Sequence, residues 1–328
     1  MKLIPIGYPL NMTTVTDAGE ELSIAIGHFD GVHKGHQDVI RRAVEAAGNQ
    51  QRKSAVLTFH PHPKDVLSHG DQYVSCLTPL DAKLERFAEL GVDYTFVMKF
   101  DQDFANVSPE RFVSDVLVPL GVRHAVIGFD FHFGHRGAGD AGMLTSLGSE
   151  LNITTEVVEP LLLNGKKVSS TYVREALGEG DAELAKYLLG RPYEVNGTVV
   201  HGHARGRTIG FPTANIGLTA PYVTPRLGVY AVFAEVGGVT YPAVMNHGMK
   251  PTFKDGETAP VMEVHLFDFS GDLYDQTMTV RFHTFLRAER KFDSIDELIA
   301  QIGRDRDEAR DRLIQADEAA LSSTKRPV

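Results

Sequence analysis

Two patterns of hydrophobic and polar positions divide the chain. From about residue 22 to residue 158, short apolar and β-branched runs alternate with amphipathic segments that have helical spacing of apolar positions. Strands that are apolar on both faces, with helices between them, are typical of an α/β domain built on a parallel sheet. The runs that predict strands are LSIAIG (22–27), SAVLTF (54–59), DYTFVM (93–98), HAVIGF (124–129) and TTEVV (154–158).

The segments between these runs predict helices. Residues 36–47 and 78–90 have one apolar face, and in the second of them Thr78 is a candidate N-cap with Pro79 in the first turn. The pair Ser108–Pro109 predicts another helix start of the same kind.

After Leu189 the pattern changes to closely spaced, alternating runs that are rich in β-branched residues. Strands with no helix between them pair antiparallel, so this half predicts a barrel or a sandwich. The chain then ends in a helix, which begins at the capping box Ser294-x-x-Glu297. We therefore expect two domains, residues 1–187 and residues 188–328.

Composition narrows the functional classes. The chain has 328 residues, with 33 Lys and Arg against 43 Asp and Glu, so its net charge of −10 argues against a nucleic-acid partner. No run approaches the ~20 apolar residues of a membrane span, and the first residues do not resemble a secretory signal. One cysteine excludes a disulfide framework. We expect a cytoplasmic protein without a membrane partner, and the sequence carries no signal of its oligomeric state.

The first candidate site is the segment IAIGHFDGVHKGHQDVI, in which a strand is followed by a glycine-rich turn and a helix. The amino terminus of a helix binds anions, and glycines allow the backbone to approach a phosphate closely. His33 and His36 are three residues apart at this helix start, so both can face one anion. The alternative is structural, with one histidine capping the helix and the other packed. The predicted phosphate-binding residues around the pair are Gly27, Phe29, Gly31 and Gly35.

Two later segments of the same domain add candidate ligands. In VSSTYVRE, Ser170 and Thr171 begin a predicted helix and Arg174 follows one turn later, which is a pattern that can grip phosphates. The alternative is an ordinary hydroxyl N-cap with a solvated arginine. The glycine-rich segment GFDFHFGHRGAGD follows a strand, and its Asp130 and Phe131 are candidate contacts for a base or a ring.

Histidines are also concentrated here, since His28, His60 and His62 accompany the first pair. They raise the alternative of a metal-dependent hydrolase. However, no carboxylate stands at ligand spacing, and neither HExxH nor a cysteine partner is present.

The second candidate site is the segment HGHARGRTIGFPTAN in the barrel half. Thr213 and Asn215 are two residues apart and would offer oxygen ligands suited to Mg²⁺. Glu263 interrupts the apolar strand VMEVHLFDF and is a candidate base for a primary hydroxyl. The alternatives are an ordinary barrel loop and an exposed strand glutamate. The predicted phosphate-binding residues of the loop are Gly202, Arg205, Gly206, Arg207, Gly210 and Pro212.

Several motifs resemble one family. HFDGVHKGH, TFHPHP, GFDFHFG and VSSTYVREAL are similar to the adenylyltransferase half of the bacterial bifunctional riboflavin kinase/FAD synthetases. GFPTAN, MKPTF, MEVHLFDFSGDLY and FLRAERKFDSIDEL are similar to the riboflavin kinase half. The resemblance implies a Rossmann-like nucleotidylyltransferase domain followed by a six-stranded antiparallel barrel. It also implies that riboflavin and ATP give FMN, that FMN and ATP then give FAD and pyrophosphate, and that Mg²⁺ accompanies the ATP.

The resemblance also implies roles for single residues. His33 and His36 would stabilise charge on the ATP phosphates, with help from the hydroxyls and the arginine of VSSTYVRE. Glu263 would be the base of the kinase reaction. Flavin would contact Asp130, Phe131, Asn246 and Arg287.

The chain departs from the family pattern in a few places. His28 stands where Asn or Val is usual, His60 stands where Asp is usual, and NHGMKPTF places His247 and Lys250 in the barrel motif. Two alternatives therefore accompany the main interpretation. In one of them only the kinase half is active, and in the other the protein binds or carries flavin without catalysis.

Overall fold

The computed structural model describes residues 1–11, 20–67, 75–202, 206, 210–251 and 258–323. The chain divides into two compact units, Met1–Ser170 and Thr171–Val328. The domain boundary expected after residue 187 stays a prediction.

The first unit is built on a parallel sheet with helices. Its strands are β1 (Lys2–Ile6), β2 (Leu22–Ile26), β3 (Lys53–His60), β4 (Tyr94–Lys99), β5 (Val122–Gly128) and β6 (Thr154–Val158), with a small hairpin of β7 (Leu162–Leu163) and β8 (Lys166–Lys167). In the described part of this unit, the six longer strands pair in the order β1-β4-β3-β2-β5-β6, and every pair is parallel. The predicted α/β architecture is confirmed.

The sheet contains one strand that the sequence pattern missed. Strand β1 pairs in parallel with β4, with Lys2 opposite Tyr94. It contains Pro5, which lacks the N–H that a central strand would need. Because β1 lies at the edge of the sheet, the proline is tolerated there, although it interrupts the strand signal of the apolar run LIPI.

The helices of this unit surround the sheet. They are α1 (Lys34–Asn49), α2 (Pro63–Leu67), α3 (Leu80–Glu89), α4 (Gln102–Ala105), α5 (Pro109–Phe112) and α6 (Ala141–Glu150), with a π-helical turn at Val113–Leu117 and a 3₁₀ turn at His135–Gly137. The predicted cap at Ser108 is confirmed, because its side chain accepts the N–H of Arg111. The predicted cap at Thr78 is wrong. Pro79 is the N-cap of α3, and the N–H of Thr78 donates instead to Asp30.

Both faces of the sheet are buried, as the apolar strands predicted. All five residues of β2 are buried. Ile24 and Ile26 belong to the core on one face, whereas Ala25 packs on the other with Val39 and Ile40 of α1. Neighbouring side chains of a strand point to opposite faces, so this division follows from the strand geometry.

The described residues of the second unit form a barrel, with three helices of eight residues or more. Its helices are α7 (Ser170–Glu179), α8 (Ala182–Leu189) and α9 (Ile295–Ser323), and its strands are β9 (Glu194–Val200), β10 (Ala214–Leu218), β11 (Gly228–Val236), β12 (Val239–Pro251), β13 (Thr258–Leu266) and β14 (Thr277–Arg287). In the described residues, the strands close in the order β10-β13-β12-β11-β14-β9, and all pairs are antiparallel. The predicted six-stranded barrel with a C-terminal helix is confirmed.

Alternation along the strands separates the barrel interior from its outer face. Tyr230, Met245 and Val264 are register partners on three adjacent strands and are completely buried. On the outer face, Val229 belongs to a buried cluster with Ala309 and Leu313 of α9. The helix therefore covers part of the outer face.

Helix α9 begins as the capping box predicted. The N–H of Glu297 donates to Ser294 Oγ at 3.2 Å. Among the helices described, none is both long enough and apolar enough to cross a membrane.

Candidate functional sites

The first site lies where β2 ends and α1 begins. His33 is the N-cap of α1, and its Nδ1 accepts the backbone N–H of His36 at 3.3 Å. The two imidazole rings stack with centroids 3.6 Å apart and planes 21° apart. The structure therefore brings together the two histidines that the sequence predicted as a pair. His33 also caps the helix, which was the structural alternative. Capping the helix and facing an anion are therefore compatible in one histidine.

The cap fixes how His33 can interact with an anion. A backbone N–H only donates, so Nδ1 of His33 must accept and cannot carry a proton. The proton of the neutral ring then resides on Nε2. In the neutral ring Nε2 is therefore the donor, and a donor is what a phosphate oxygen requires.

His36 lies in a positively charged environment. Burial is the main reason that its pKa lies well below the usual value, and electrostatic interactions with His33, Lys83, His28 and Lys167 act in the same direction. Its Nδ1 is buried and makes no hydrogen bond within the described residues. These neighbours disfavour a further positive charge and favour an anion.

The glycines and Phe29 shape the turn before this helix. Phe29 has a φ of 56°, and its buried ring contacts the ring of His36 edge-on at 5.3 Å. A Cβ added at Gly27 would lie 3.0 Å from that ring, and one added at Gly35 would lie 3.2 Å from the ring of His33. Gly31 has a φ of 85°. The side chain of Phe29 thus packs beneath the pair, and its predicted part in phosphate binding stays a prediction.

The predicted hydroxyl motif is divided between the two units. Ser170 Oγ donates to the backbone oxygen of Asp30 at 2.8 Å, so this hydroxyl fixes the turn that precedes the histidine pair. Thr171 and Arg174 lie on α7 in the second unit, where Thr171 is exposed. Their predicted contact with phosphate stays a prediction.

Asp130 and Phe131 follow β5 at the same end of the sheet. Asp130 is exposed and forms an ion pair with Lys167, whose Nζ also lies 4.4 Å from the centroid of the Phe129 ring. Phe131 stacks on Phe133 at 5.6 Å. A half-exposed cation beside an aromatic ring suits an anionic, ring-containing ligand.

Sequence reasoning missed Lys83 of α3, which is buried beneath this site. Its Nζ donates to the backbone oxygen of His28 at 2.8 Å. The signal was present, since Lys83 precedes the buried Phe87 by four residues and therefore lies on the same face of the helix. A lysine on a buried helix face is rare unless it has a partner there.

The second site lies on the outer face of the barrel. In the strand register, Glu263 of β13 lies opposite Asn215 of β10 and also opposite Asn246 of β12. Asn246 lies opposite Val229, which in turn lies opposite Arg287. Register partners present their side chains to the same face. One row across the barrel therefore carries four residues that the sequence assigned to metal, base and flavin.

The loop before β10 approaches this row closely. A Cβ at Gly202 would overlap the side-chain amide of Asn215. One at Gly206 would overlap the backbone oxygen of Phe211 and lie 3.3 Å from Thr213 Oγ1. Space therefore requires glycine at Gly206, whereas a methyl group at Gly202 would have to displace the Asn215 side chain. Gly210 is exposed with a φ of 84°, and Arg205 and Arg207 lie outside the described residues.

Thr213 and Pro212 line a cleft of about 270 Å³ at one end of the barrel. The other side of the cleft is formed by the loop from Phe269 to Tyr274. The ring of Tyr274 stacks on that of His201 at 3.9 Å. Sequence reasoning read this loop only as a turn, because its contribution to a cleft depends on the closure of the barrel.

Arg287 is engaged with the C-terminal helix. Its guanidinium makes a two-pronged ion pair with the buried Asp305, with Nε–Oδ1 at 2.9 Å and Nη2–Oδ2 at 2.7 Å. Gln301 also donates to Asp305, at 2.7 Å. Arg287 thus attaches α9 to the barrel, and its predicted contact with flavin stays a prediction.

The other histidines do not gather around a common centre. The ring of His28 lies 4.0 Å from that of His62, and His60 is exposed at the end of β3. Among the residues that the structure describes, no three His, Cys, Asp or Glu side chains are arranged to hold a metal ion.

Comparison with known proteins assigns a family model to each half. Residues 16–172 match the model for FAD synthetase, and residues 189–313 match that for riboflavin kinase. A Bacillus subtilis protein named bifunctional riboflavin kinase/FMN adenylyltransferase is 44% identical over 94% of this chain and 97% of its own length. A Listeria monocytogenes protein of the same name is 42% identical over 94% of this chain and 98% of its own length.

The fold is shared with a solved structure. A Streptococcus pneumoniae protein, described as a macrolide-efflux protein, superposes with a TM-score of 0.81 at 33% identity. The match covers 92% of this chain and 97% of that one.

Proposed function

Because this chain belongs to the bifunctional riboflavin kinase/FMN adenylyltransferase family, we propose that it makes FAD from riboflavin in two reactions. In the barrel unit, riboflavin and ATP give FMN and ADP. In the first unit, FMN and a second ATP give FAD and pyrophosphate. The proposal is carried by one observation, which is that each unit holds a site whose charges suit one of these reactions.

The kinase reaction needs a base, because its nucleophile is a neutral hydroxyl. Glu263 takes the proton of the riboflavin 5′-hydroxyl as the oxygen attacks the γ-phosphorus of ATP and the bond to ADP breaks. Its two register neighbours, Asn215 and Asn246, are supported as ligand contacts by their place in the same row. Asn246 is then the flavin contact and Asn215 lies on the side of the phosphates.

Mg²⁺ is the metal we propose for this site. Thr213 and Asn215 supply neutral oxygen ligands, and Gly202 and Gly206 allow the backbone of the loop to approach them closely. Mg²⁺ prefers oxygen ligands and usually binds together with substrate phosphates. When bound, the ion would neutralise the charge of the transferring phosphate. The apolar and aromatic lining of the adjacent cleft supports binding of the adenine ring there.

The adenylyltransferase reaction needs positive charge rather than a base. The phosphate of FMN is already an anion, and its oxygen attacks the α-phosphorus of ATP while the bond to pyrophosphate breaks. His33 donates from Nε2 to the phosphates, and His36 lies stacked beside it. Donors that are fixed before the reaction stabilise the charge that develops in the transition state. Lys167 is the further cation that we assign to this site, and the part of Arg174 in phosphate binding stays the prediction made from its motif.

The experiment is a chromatographic time course of riboflavin, ATP and Mg²⁺ with the purified chain and two variants. We expect FMN first and FAD afterwards. Glu263→Gln should lower FMN formation by about 10²–10⁴-fold, the range for loss of a general base, and should leave FAD formation from added FMN intact. His33→Ala should do the reverse. Each reaction is therefore the control for the other.

The outcomes separate the alternatives. FMN without FAD would leave only the kinase half active. Bound flavin without any product would favour a carrier. Loss of both reactions in either variant would contradict the assignment of one site to each unit. The use of ATP in both steps also supports our expectation of a cytoplasmic location.

A further inference from the structure

Lys83 is a buried cation that the reactions described above do not use. It lies on α3, and only 3% of its surface is exposed. One turn later on the same face of α3, Phe87 belongs to the buried cluster that contains Ala25 of β2 and Val56 of β3. A lysine in this position must have a partner in the turn.

That partner is the backbone oxygen of His28. Lys83 Nζ donates to it at 2.8 Å, and Thr58 Oγ1 of β3 donates to the same oxygen at 3.0 Å. Two donors from two different elements therefore hold one carbonyl group. His28 directly precedes Phe29, whose φ of 56° is unusual for a residue with a side chain. A backbone conformation of this kind persists only when its surroundings hold it in place.

Asp30 attaches the other end of the same turn. Its Oδ1 accepts the N–H of Leu77 at 2.9 Å and that of Thr78 at 3.2 Å, just before α3 begins. Its backbone oxygen accepts from Ser170. The turn from His28 to Asp30 is thus bonded to α3 at one end and to the residues just before α3 at the other, and it precedes His33 by two residues.

The charge of Lys83 is costly to the fold. Burial lowers its pKa to about 8, while the neighbouring Asp30 and Cys76 act in the opposite direction. The same charge contributes to the low pKa of His36. A buried charge lowers stability unless it is fully compensated. A charge that is kept close to a reaction centre at such a cost suggests a role in function.

We propose that Lys83 is a positioning residue for the adenylyl transfer, and that it holds the His28 carbonyl so that the turn presents His33 and His36 to the ATP phosphates. The proposal rests on the proposed function of the first unit. It assigns no contact between Lys83 and the substrates. The ammonium group acts through the backbone, and it must be protonated to do so with full effect.

Three variants of the full chain test the proposal. Lys83→Met keeps the length of the side chain but removes the charge and the donor. Lys83→Arg keeps the charge. Lys53→Met is the matched control. Lys53 is an exposed lysine at the amino end of β3, whereas the site lies at the carboxyl ends of the strands. Riboflavin phosphorylation in the barrel unit is measured in every sample as an internal control.

We expect Lys83→Met to lower kcat for FAD formation from FMN by about 10–100-fold, the scale of a misplaced reacting group. The KM for ATP should change much less. Thermal stability should be kept or raised, and riboflavin phosphorylation should be unchanged. Lys83→Arg should retain more activity than Lys83→Met, and Lys53→Met should match the wild type.

The pH profile provides a readout that a purely structural role would not alter. In the wild type, kcat for FAD formation should fall as the pH rises through about 8, because Lys83 then loses its proton. This decline should be absent from riboflavin phosphorylation and from the residual activity of Lys83→Met. In addition, NMR titration of labelled histidines should show a higher pKa for His36 in Lys83→Met, since one positive neighbour is gone.

Two results would overturn the proposal. One is a Lys83→Met protein that makes FAD at the wild-type rate. The other is a wild-type pH profile in which kcat for FAD formation does not fall as the pH rises through about 8. This measurement tests the proposal even if the variants fail to fold. If the wild type makes no FAD from FMN and ATP at all, the proposed function of the first unit is wrong, and this inference falls with it.

Discussion

The ion pair between Arg287 and Asp305 allows a quantitative test of how the C-terminal helix is held. The perturbation is Asp305→Ala, which removes a carboxylate that accepts from Arg287 and from Gln301. The side chain of Asp305 is 6% exposed and that of Arg287 is 22% exposed. After the substitution, the guanidinium stays mostly buried and keeps a bond to the backbone oxygen of Ala288.

The magnitude follows from this geometry. Breaking a buried ion pair by removing one partner costs about 3–5 kcal/mol, because the remaining charge is left without compensation. Arg287 can regain some water through its exposed edge, which favours the lower end of that range. Loss of the bond from Gln301 adds about 1 kcal/mol. We therefore expect the free energy of unfolding of the barrel unit to fall by about 4 kcal/mol, or roughly 10 °C in melting temperature.

The assay is differential scanning calorimetry, since the chain contains no tryptophan for fluorescence. Asp307→Ala on the same helix is the matched control, because Asp307 pairs with Arg306 in an exposed position and should change stability by less than about 0.5 kcal/mol. A double-mutant cycle with Arg287→Met and Asp305→Leu should recover about 2 kcal/mol relative to the sum of the single changes, as for contacting residues.

Two outcomes would refute this reasoning. If Asp305→Ala melts within about 2 °C of the control, the pair does not hold the helix. If the two substitutions in the cycle are additive, the cost belongs to each side chain alone and not to their contact.

Three further predictions concern the two sites and the helix. The pKa of His36 is lower in the folded chain than in the unfolded one, so the unfolded state binds more protons below about pH 6.5. Acidification should therefore lower the melting temperature of the wild type more than that of His36→Gln. Gly202→Ala should raise the KM for ATP in riboflavin phosphorylation by at least about tenfold, a change of about 1.4 kcal/mol in binding, because the added methyl overlaps Asn215. The control is Gly303→Ala in α9, where an added methyl meets open space. It should preserve the activity and raise the melting temperature. Leu313→Ala should cost about 2–5 kcal/mol by calorimetry, since this leucine is buried against the barrel.

Most of the fold follows from patterns that short segments carry. The period of the apolar positions distinguished buried parallel strands from an antiparallel barrel. The caps at Ser108 and Ser294 could be predicted from the few residues around them. Strand β1 was missed because Pro5 interrupts its apolar run LIPI, and a proline argues against any strand that is not at an edge. The cap at Thr78 was placed one residue too early, since Pro79 is the N-cap of α3 and makes no side-chain cap hydrogen bond. A helix that begins without such a bond offers no capping residue to recognise in the local sequence.

The sites were predictable to a different degree. The spacing of His33 and His36 was enough to expect a pair, because both residues lie in one helical turn. The row from Asn215 through Glu263 to Asn246 joins three strands, and its register depends on barrel closure, which no local pattern encodes. Lys83 was missed for a related reason, since its partner is a backbone oxygen 55 residues away.

The signs of charge at the two sites explain why one chain needs two of them. The hydroxyl of riboflavin must lose a proton to react, and in our proposal the carboxylate of Glu263 accepts it. The same carboxylate repels the phosphate of the FMN that forms, which favours release of that product. FMN then needs a site with cations near its phosphate, and both Lys83 and Lys167 act on His36 electrostatically. The two proposed nucleophiles therefore favour separate sites, one with a carboxylate beside the hydroxyl and one with cations beside the phosphate.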